Sequence, residues 1–154
     1  MKAGAYLRQY KDAKSDIQRR KSQIEMQRML DAERLMVLRN SIILPSKATD
    51  GMPHAPTYDK DRIPTVLAKE DEIIKRSIRR TDRLLAEIDK LEALMESIEE
   101  SIDKVDNPTY RSLLHWKYIE CRTWRSISDD LGLEQAYVRK RLRDKAFKAL
   151  EKWI

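Results

Sequence analysis

Apolar residues recur at heptad spacing along the second half of the chain. The first series is Ile74, Thr81, Ile88, Met95 and Ile102, and the second, three residues later each time, is Ser77, Leu84, Leu91, Ile98 and Val105. A heptad pattern sustained in this way predicts a coiled-coil helix over residues 65–107. The polar Ser77 and Thr81 lie in its first half, so we expect the tightest packing between Leu84 and Val105.

Such a stripe needs a partner, because each buried Leu or Ile is worth roughly 1.5–3 kcal/mol. One candidate is the N-terminal segment, residues 1–44, which is predicted to be helical from Ala3 to Asn40. Its apolar positions are Tyr6, Tyr10, Ala13, Ile17, Ile24 and Leu30, and the stripe is interrupted by Arg20 and Gln27. The other candidate is the same heptad helix of a second copy. The pattern leaves open a helical hairpin within one chain and a homodimer through the heptad helix.

Residues 45–64 contain four of the five prolines, with Gly51 and several polar residues, and are predicted to be a linker. No segment alternates apolar and polar residues for long enough to predict a strand. The expected fold is therefore all-α, with long N-terminal helices in a coiled coil or hairpin, followed by a three-helix domain over residues 108–154.

The C-terminal domain carries clear helix boundaries. Asn107 followed by Pro108 is a start signal, Thr123 can cap the next helix, and Gly132 stands where a helix ends in a left-handed residue. The last helix has an apolar stripe with a spacing of four residues, made of Val138, Leu142, Ala146 and Leu150.

The spacing around Gly132 is typical of a helix-turn-helix. Ser128, four residues before the glycine, is small enough for two helices to cross closely. Val138, six residues after it, is apolar and can hold the final helix in place. The final helix is also rich in Arg and Lys, which favours a helix that enters the DNA major groove. The alternative is a three-helix bundle whose last helix is basic only for solubility.

Two sets of DNA contacts are predicted on this domain. The residues expected to contact bases from one outward face are Gln135, Ala136, Arg139 and Arg143. The residues expected to contact phosphates are Arg122, Arg125, Lys140, Arg141 and Lys145. The aromatic residues Trp116, Tyr118 and Trp124 are expected in the core rather than as platforms for base stacking.

Residues 113–150 resemble region 4 of bacterial sigma factors, the part that recognises the upstream promoter element. The resemblance lies in Thr123-Trp124, Ile127-Ser128, Leu131-Gly132-Leu133 and the basic run Val138-Arg139-Lys140-Arg141-Leu142. The whole layout is also similar to the ArpU-type late-gene transcription regulators of phages, including the ending Ala146-Phe147-Lys148-Ala149-Leu150. These resemblances imply a phage or prophage regulator that binds promoter DNA, with host RNA polymerase as a further partner.

The chain departs from the sigma pattern at three points. Glu134 stands where Ser or Thr usually opens the recognition helix, and Ser128 replaces the commoner Ala. The sigma segments that bind the core polymerase and melt the promoter are not recognisable upstream. These departures favour a regulator that carries the DNA-recognition domain alone over a free-standing sigma factor.

Charge and composition narrow the function further. The net charge is +6, and residues 108–154 hold eleven Lys and Arg against six Asp and Glu, whereas residues 65–107 hold eight against twelve. A cationic end favours double-stranded DNA as partner. Cys121 is the only cysteine, the apolar runs are too short to cross a bilayer, and the N-terminus has no apolar signal core. A cytoplasmic location in a bacterial host is expected.

No enzyme chemistry is indicated. The three glycines are isolated, so there is no phosphate-binding loop, and His54 and His115 are too far apart in sequence to suggest a metal site. We expect no cofactor, no metal and no small-molecule substrate. The leading hypothesis is a sequence-specific transcription regulator. The alternatives are a DNA packaging component that resembles a small terminase subunit, and a polymerase-binding adaptor that does not bind DNA.

Overall fold

The computed structural model describes residues 2–44, 51 and 57–154, and most of these residues are helical. Two long helices come first, α1 (Lys2–Asn40) and α2 (Ile63–Asp103), with the short strands β1 (Ile43–Leu44) and β2 (Thr57–Tyr58) between them. Six helical segments follow, in the order α3 (Pro108–Leu114), a π-helical turn (His115–Ile119), α4 (Trp124–Leu131), α5 (Gln135–Tyr137), a second π-helical turn (Val138–Leu142) and, last, α6 (Arg143–Leu150). The predicted all-α fold with long N-terminal helices is confirmed.

The chain forms two compact units. The first consists of Met1–Arg19 and Glu87–Ile154, and the second of Arg20–Ala86. Each long helix contributes to both units, so the unit boundaries differ from the segments 1–44, 45–64, 65–107 and 108–154 that the sequence pattern suggests.

The first unit has one continuous hydrophobic core. Helix α1 contributes Ala3, Leu7 and Tyr10, and the end of the α2 heptad contributes Ile98, Ile102 and Val105. The C-terminal helices complete it with Leu113, Leu114, Ile127, Val138, Leu142, Ala146, Phe147 and Leu150. In this unit the heptad stripe is therefore covered by α1 of the same chain, and the C-terminal domain is built onto the two long helices rather than separated from them.

In the second unit, the end of α1 and the start of α2 are joined by the two strands. Ile43 pairs with Tyr58 and Leu44 with Thr57 in antiparallel register. Close by, Arg39 Nε donates a 2.8 Å hydrogen bond to Glu70 Oε1. The prediction of no strands was wrong here, because two-residue strands are too short to produce an alternating pattern.

Part of the predicted linker forms secondary structure. Thr57 and Tyr58 form β2, and Ile63 and Pro64 open α2, where proline is tolerated in the first turn. The rest of the predicted linker, residues 45–50 and 52–56, lies outside the described residues.

In the second unit, the buried faces of α1 and α2 differ from the apolar stripes that the sequence predicted. Asp31 of α1 is 6 % exposed, whereas its apolar neighbour Leu30 is 42 % exposed. On α2, the predicted seam residue Ile74 is 43 % exposed, and Ile73 is more deeply placed. The expectation that packing is tightest towards Val105 fits the burial of Ile88, Ile98, Ile102 and Val105.

Candidate nucleic-acid interface

The helix-turn-helix is held by caps at both ends of α4, one made by a side chain and one by the backbone. Thr123 Oγ1 accepts a 3.2 Å hydrogen bond from the Ser126 amide and starts the helix. Gly132 ends it with φ 66° and ψ 27°, the left-handed conformation that glycine adopts without strain. The Leu133 amide then donates to the Ser128 carbonyl at 3.1 Å, closing the turn. These two caps fix the direction in which the chain enters the final helix.

Residues 135–150 form this final helix, made of α5, the second π-helical turn and α6. The predicted stripe Val138, Leu142, Ala146 and Leu150 is buried. A spacing of four is wider than the α-helical repeat, and the π turn takes up the difference because its hydrogen bonds close from residue i to i+5. The buried stripe holds one face of the helix against the core and leaves the opposite face in solvent.

The start of the final helix presents an exposed row of side chains. Gln135, Ala136 and Arg139, three of the four predicted base-contacting residues, are exposed. The preceding Glu134 is also exposed, and its side chain makes no cap hydrogen bond. This carboxylate places a negative charge beside the row, where it suits the positive end of the helix dipole but would repel a phosphate.

Arg143, the fourth predicted base-contacting residue, is less exposed than the other three. Its side chain is half-buried and donates from Nε and Nη2 to Asp144 Oδ1 at 3.3 and 3.1 Å. The guanidinium carbon lies 5.7 Å from the ring centroid of Phe147. Val138 and Leu142 share one face across the same turn, so the lower exposure of Arg143 comes from its contacts with Asp144 and Phe147 and not from a rotation of the helix.

The predicted phosphate contacts divide into two groups. Arg125, Lys140, Arg141 and Lys145 are exposed. Arg122 is half-buried and donates to Ser126 Oγ at 2.7 and 3.3 Å, to the carboxylate of Asp130, and stacks 5.0 Å from the ring centroid of Trp116. Its charge is therefore used to brace α4, not to face solvent.

Lys117, a residue that sequence reasoning missed, supports the same corner. Its Nζ donates to the Arg122 carbonyl at 3.2 Å and lies 4.8 Å from the ring centroid of Trp124. A lysine four or more residues ahead of a helix gives no sequence signal of this kind, because the contact depends on the turn at Cys121, which has φ 57°. Arg122 and Lys117 together hold α4 against the preceding helix.

The aromatic residues of the domain are occupied by packing. Trp116, Tyr118 and Trp124 are partly buried against the core, as expected. The ring of Tyr118 lies 5.9 Å from that of Phe147, and burial raises the pKa of its hydroxyl above the ordinary value. Arg122 lies over the ring of Trp116 and Lys117 over that of Trp124.

In the part of the chain that the structure describes, no group of three or more His, Cys, Asp and Glu residues could hold a metal ion. Within the same residues no helix has the length and apolar character that a bilayer crossing requires. No family model, curated protein or solved structure matches the chain.

Proposed function

We propose that the protein is a sequence-specific DNA-binding transcription regulator of phage or prophage origin, whose final helix lies in the major groove. The observation that carries the proposal is the exposed row of Gln135, Ala136 and Arg139 on a helix whose opposite face is buried. A side-chain row held outward on a fixed helix is what major-groove recognition requires.

The chemistry of the row suits base edges. Gln135 can make paired hydrogen bonds to adenine and Arg139 to guanine, each worth about 1–3 kcal/mol of discrimination. Ala136 between them can contact a thymine methyl group. The exposed Arg125, Lys140, Arg141 and Lys145 surround the row and supply the phosphate contacts that fix its position. Arg122 is left out of the interface, because its guanidinium is held by Asp130 and Ser126.

The phage origin and the contact with host RNA polymerase depend on the resemblance to sigma region 4 and the ArpU-type regulators. The caps at Thr123 and Gly132 and the buried Ser128 are consistent with that resemblance. They are also what any tight helix-turn-helix needs, so the caps support DNA binding more directly than they support the family.

We propose further that the protein dimerises, but not through the predicted heptad seam, whose end is covered by α1. Another apolar stripe on α2, which shares only Ile74 with the predicted seam, is open instead and consists of Leu67, Ile74, Ile78 and Leu85 at 43–58 % exposure. The intervals of seven, four and seven residues are the same from either end. Two copies related by a two-fold axis can therefore place Leu67 opposite Leu85 and Ile74 opposite Ile78 in antiparallel α2 helices.

A buried carboxylate beside this stripe supports the same assignment. Asp31 lines a cavity of about 220 Å³ together with Ile74 and Ile78. Its Oδ1 accepts a hydrogen bond from Gln27 at 3.2 Å and lies 3.6 Å from Arg34 Nη1, but its Oδ2 is buried with no hydrogen-bond partner in the described residues. An unsatisfied buried oxygen costs about 1–3 kcal/mol, more for a charged group, and a donor from a second copy would remove that cost.

Selection of bound sequences from a random duplex pool tests the function. The unmodified protein should enrich a defined sequence, and Arg139→Ala should lose the preference at one base position while keeping the fold. Lys148→Ala is the matched control, because Lys148 is an exposed cation on the same helix outside the row. An unchanged preference in Arg139→Ala would contradict the assignment of the row.

Two further outcomes would favour the alternative functions. Failure to bind any duplex at low salt would favour a polymerase-binding adaptor. A ring of many copies in native mass spectrometry would favour a packaging component that resembles a small terminase subunit.

A further inference from the structure

A second cationic feature lies within the first unit and shares the final helix with the proposed DNA-contacting row. It is a cavity of about 420 Å³, which we call the arginine notch, lined by Gly4, Ala5, Arg8, Tyr118, Arg143 and Phe147. One wall is the first turns of α1, and the other is α6 with the π-helical turn that carries Tyr118. The notch thus joins the N-terminal helix to the final helix.

The charged residues that line the notch are both arginines. Arg143 is partly balanced by Asp144, which is not a lining residue. Arg8 is exposed and has no ion pair within the described part of the chain. Two guanidiniums that line one cavity attract an anion more strongly than either does alone, because their fields add.

Tyr118 lines the notch together with both arginines. Arg143 and Arg8 each lower the pKa of its hydroxyl, although burial outweighs them and leaves the pKa raised. The hydroxyl therefore stays protonated at neutral pH and can donate a hydrogen bond. Two guanidiniums and one phenol supply several donors around one cavity, and no lining side chain is an anion.

The backbone of α1 is brought close to this site by Gly4. A Cβ at Gly4 would lie 3.4 Å from Phe147 Cε2, at the tight limit of ordinary contact. The absence of a side chain lets the first turn of α1 approach Phe147, beside the ring over which Arg143 stacks. The first turn also carries the positive end of the helix dipole, which adds to the arginine charges.

We propose that the arginine notch binds a phosphate group of the DNA backbone, so that α1 supplies part of the DNA-binding surface. The proposal rests on the proposed function and extends it to Arg8, a residue far from the helix-turn-helix in sequence. DNA is favoured over free phosphate because Arg143 follows the exposed Arg139 by four residues on the same helix. A duplex that contacts Arg139 through a base brings its phosphates next to α6.

The test is a salt titration of duplex binding by fluorescence anisotropy, with the duplex chosen by sequence selection. Arg8→Gln should weaken binding about three- to tenfold and lower the slope of log affinity against log salt by about one, since one phosphate contact is lost. The preferred sequence should not change, because phosphate contacts carry no base information. Lys14→Gln, an exposed cation on α1 outside the notch, is the matched control.

Two variants separate charge from geometry. Arg8→Lys should keep most of the salt slope but lose part of the affinity, because lysine lacks the forked donor pair. Tyr118→Phe should weaken binding with no change in slope, since it removes one neutral donor and keeps the ring beside Phe147. Circular dichroism and thermal melting verify that each variant is folded.

The outcomes distinguish the two proposals. If the unmodified protein binds DNA and Arg8→Gln behaves as Lys14→Gln does, the notch assignment is overturned and the proposed function stands. If the unmodified protein binds no duplex, both are overturned. If inorganic phosphate binds in an Arg8-dependent way while DNA binding is insensitive to Arg8, the notch takes free phosphate and the DNA assignment is wrong.

Discussion

The hydroxyl of Tyr10 donates a 2.6 Å hydrogen bond to Glu99 Oε1, eighty-nine residues away in sequence. Tyr10 is only 6 % exposed, and the bond fastens α1 to α2 within the first unit. Burial, with the nearby Glu99 carboxylate, raises the pKa of the hydroxyl to about 12. The contact connects the N-terminal helix to the core that supports the final helix.

This contact makes stability sensitive to alkaline pH. The folded pKa of Tyr10 is higher than its ordinary value of 10.0, so its contribution is complete below pH 10 and is lost as pH rises towards 12. The free energy of unfolding of the unmodified protein should fall over that window. Tyr10→Phe should be less stable at neutral pH by roughly 1–2 kcal/mol and should fall less steeply between pH 10 and 12. Urea denaturation at a series of pH values measures both, and equal slopes for the two proteins would contradict the prediction.

Replacement of Gly132 should lower the free energy of unfolding through backbone strain alone. Its φ of 66° is strained for other residues, but a Cβ there would have nothing within 4 Å. Gly132→Ala should therefore lower the free energy of unfolding by about 1–2 kcal/mol without any steric change. Gly132→Asn should lose less, because asparagine tolerates the left-handed conformation. Thermal melting compares the two, and a larger loss for Asn would point to a steric cause instead.

Substitution of Arg122 should affect stability, whereas substitution of Arg125 should affect DNA affinity. Arg122 braces α4 through Ser126 and Asp130, so Arg122→Ala should lower the free energy of unfolding by about 1 kcal/mol. Arg125 is exposed, so Arg125→Ala should leave stability unchanged and weaken duplex binding. Denaturation and anisotropy on both variants measure the two effects. The reverse pattern would return Arg122 to the set of phosphate contacts.

Ile78 tests the proposed dimer. Ile78 is exposed near the centre of the α2 stripe, and the two-fold arrangement would bury the Ile78 side chain of both copies in the interface. Ile78→Glu would place a charge at both positions, so it should convert a dimer to a monomer. Arg79→Glu, the adjacent residue outside the stripe, is the control and should leave the association unchanged. Sedimentation equilibrium over a range of concentrations gives the dissociation constants. A monomeric unmodified protein at high concentration would rule out the stripe as a dimer contact.

The sequence predicted best the features that depend on neighbouring residues. The caps at Asn107, Thr123 and Gly132 are each made by one residue with the backbone two to five positions away, and all three form. The buried stripe from Val138 to Leu150 was also predicted, because a regular apolar spacing needs only a helix and a core. These local rules were sufficient to place the exposed row at Gln135 and Arg139.

Other features depended on contacts that no local pattern encodes. Asp31 is buried where the apolar pattern favoured Leu30, because the face of α1 in the second unit is set by the position of α2. Arg122 was expected to face solvent, but Asp130, eight residues later, lies within its reach. Arg8 gave no signal at all, since its place beside Arg143 arises only once α1 is folded onto α6.

The wide turn at Val138–Leu142 has a consequence for how the final helix tolerates change. The periodicity of the buried positions is offset across this turn. A scan of single substitutions should therefore show one periodicity of tolerated positions up to Tyr137 and an offset periodicity from Arg143 onward. Removing one residue inside the turn would bring the two periodicities into phase. Transplanting the helix onto another scaffold would therefore require keeping the extra residue.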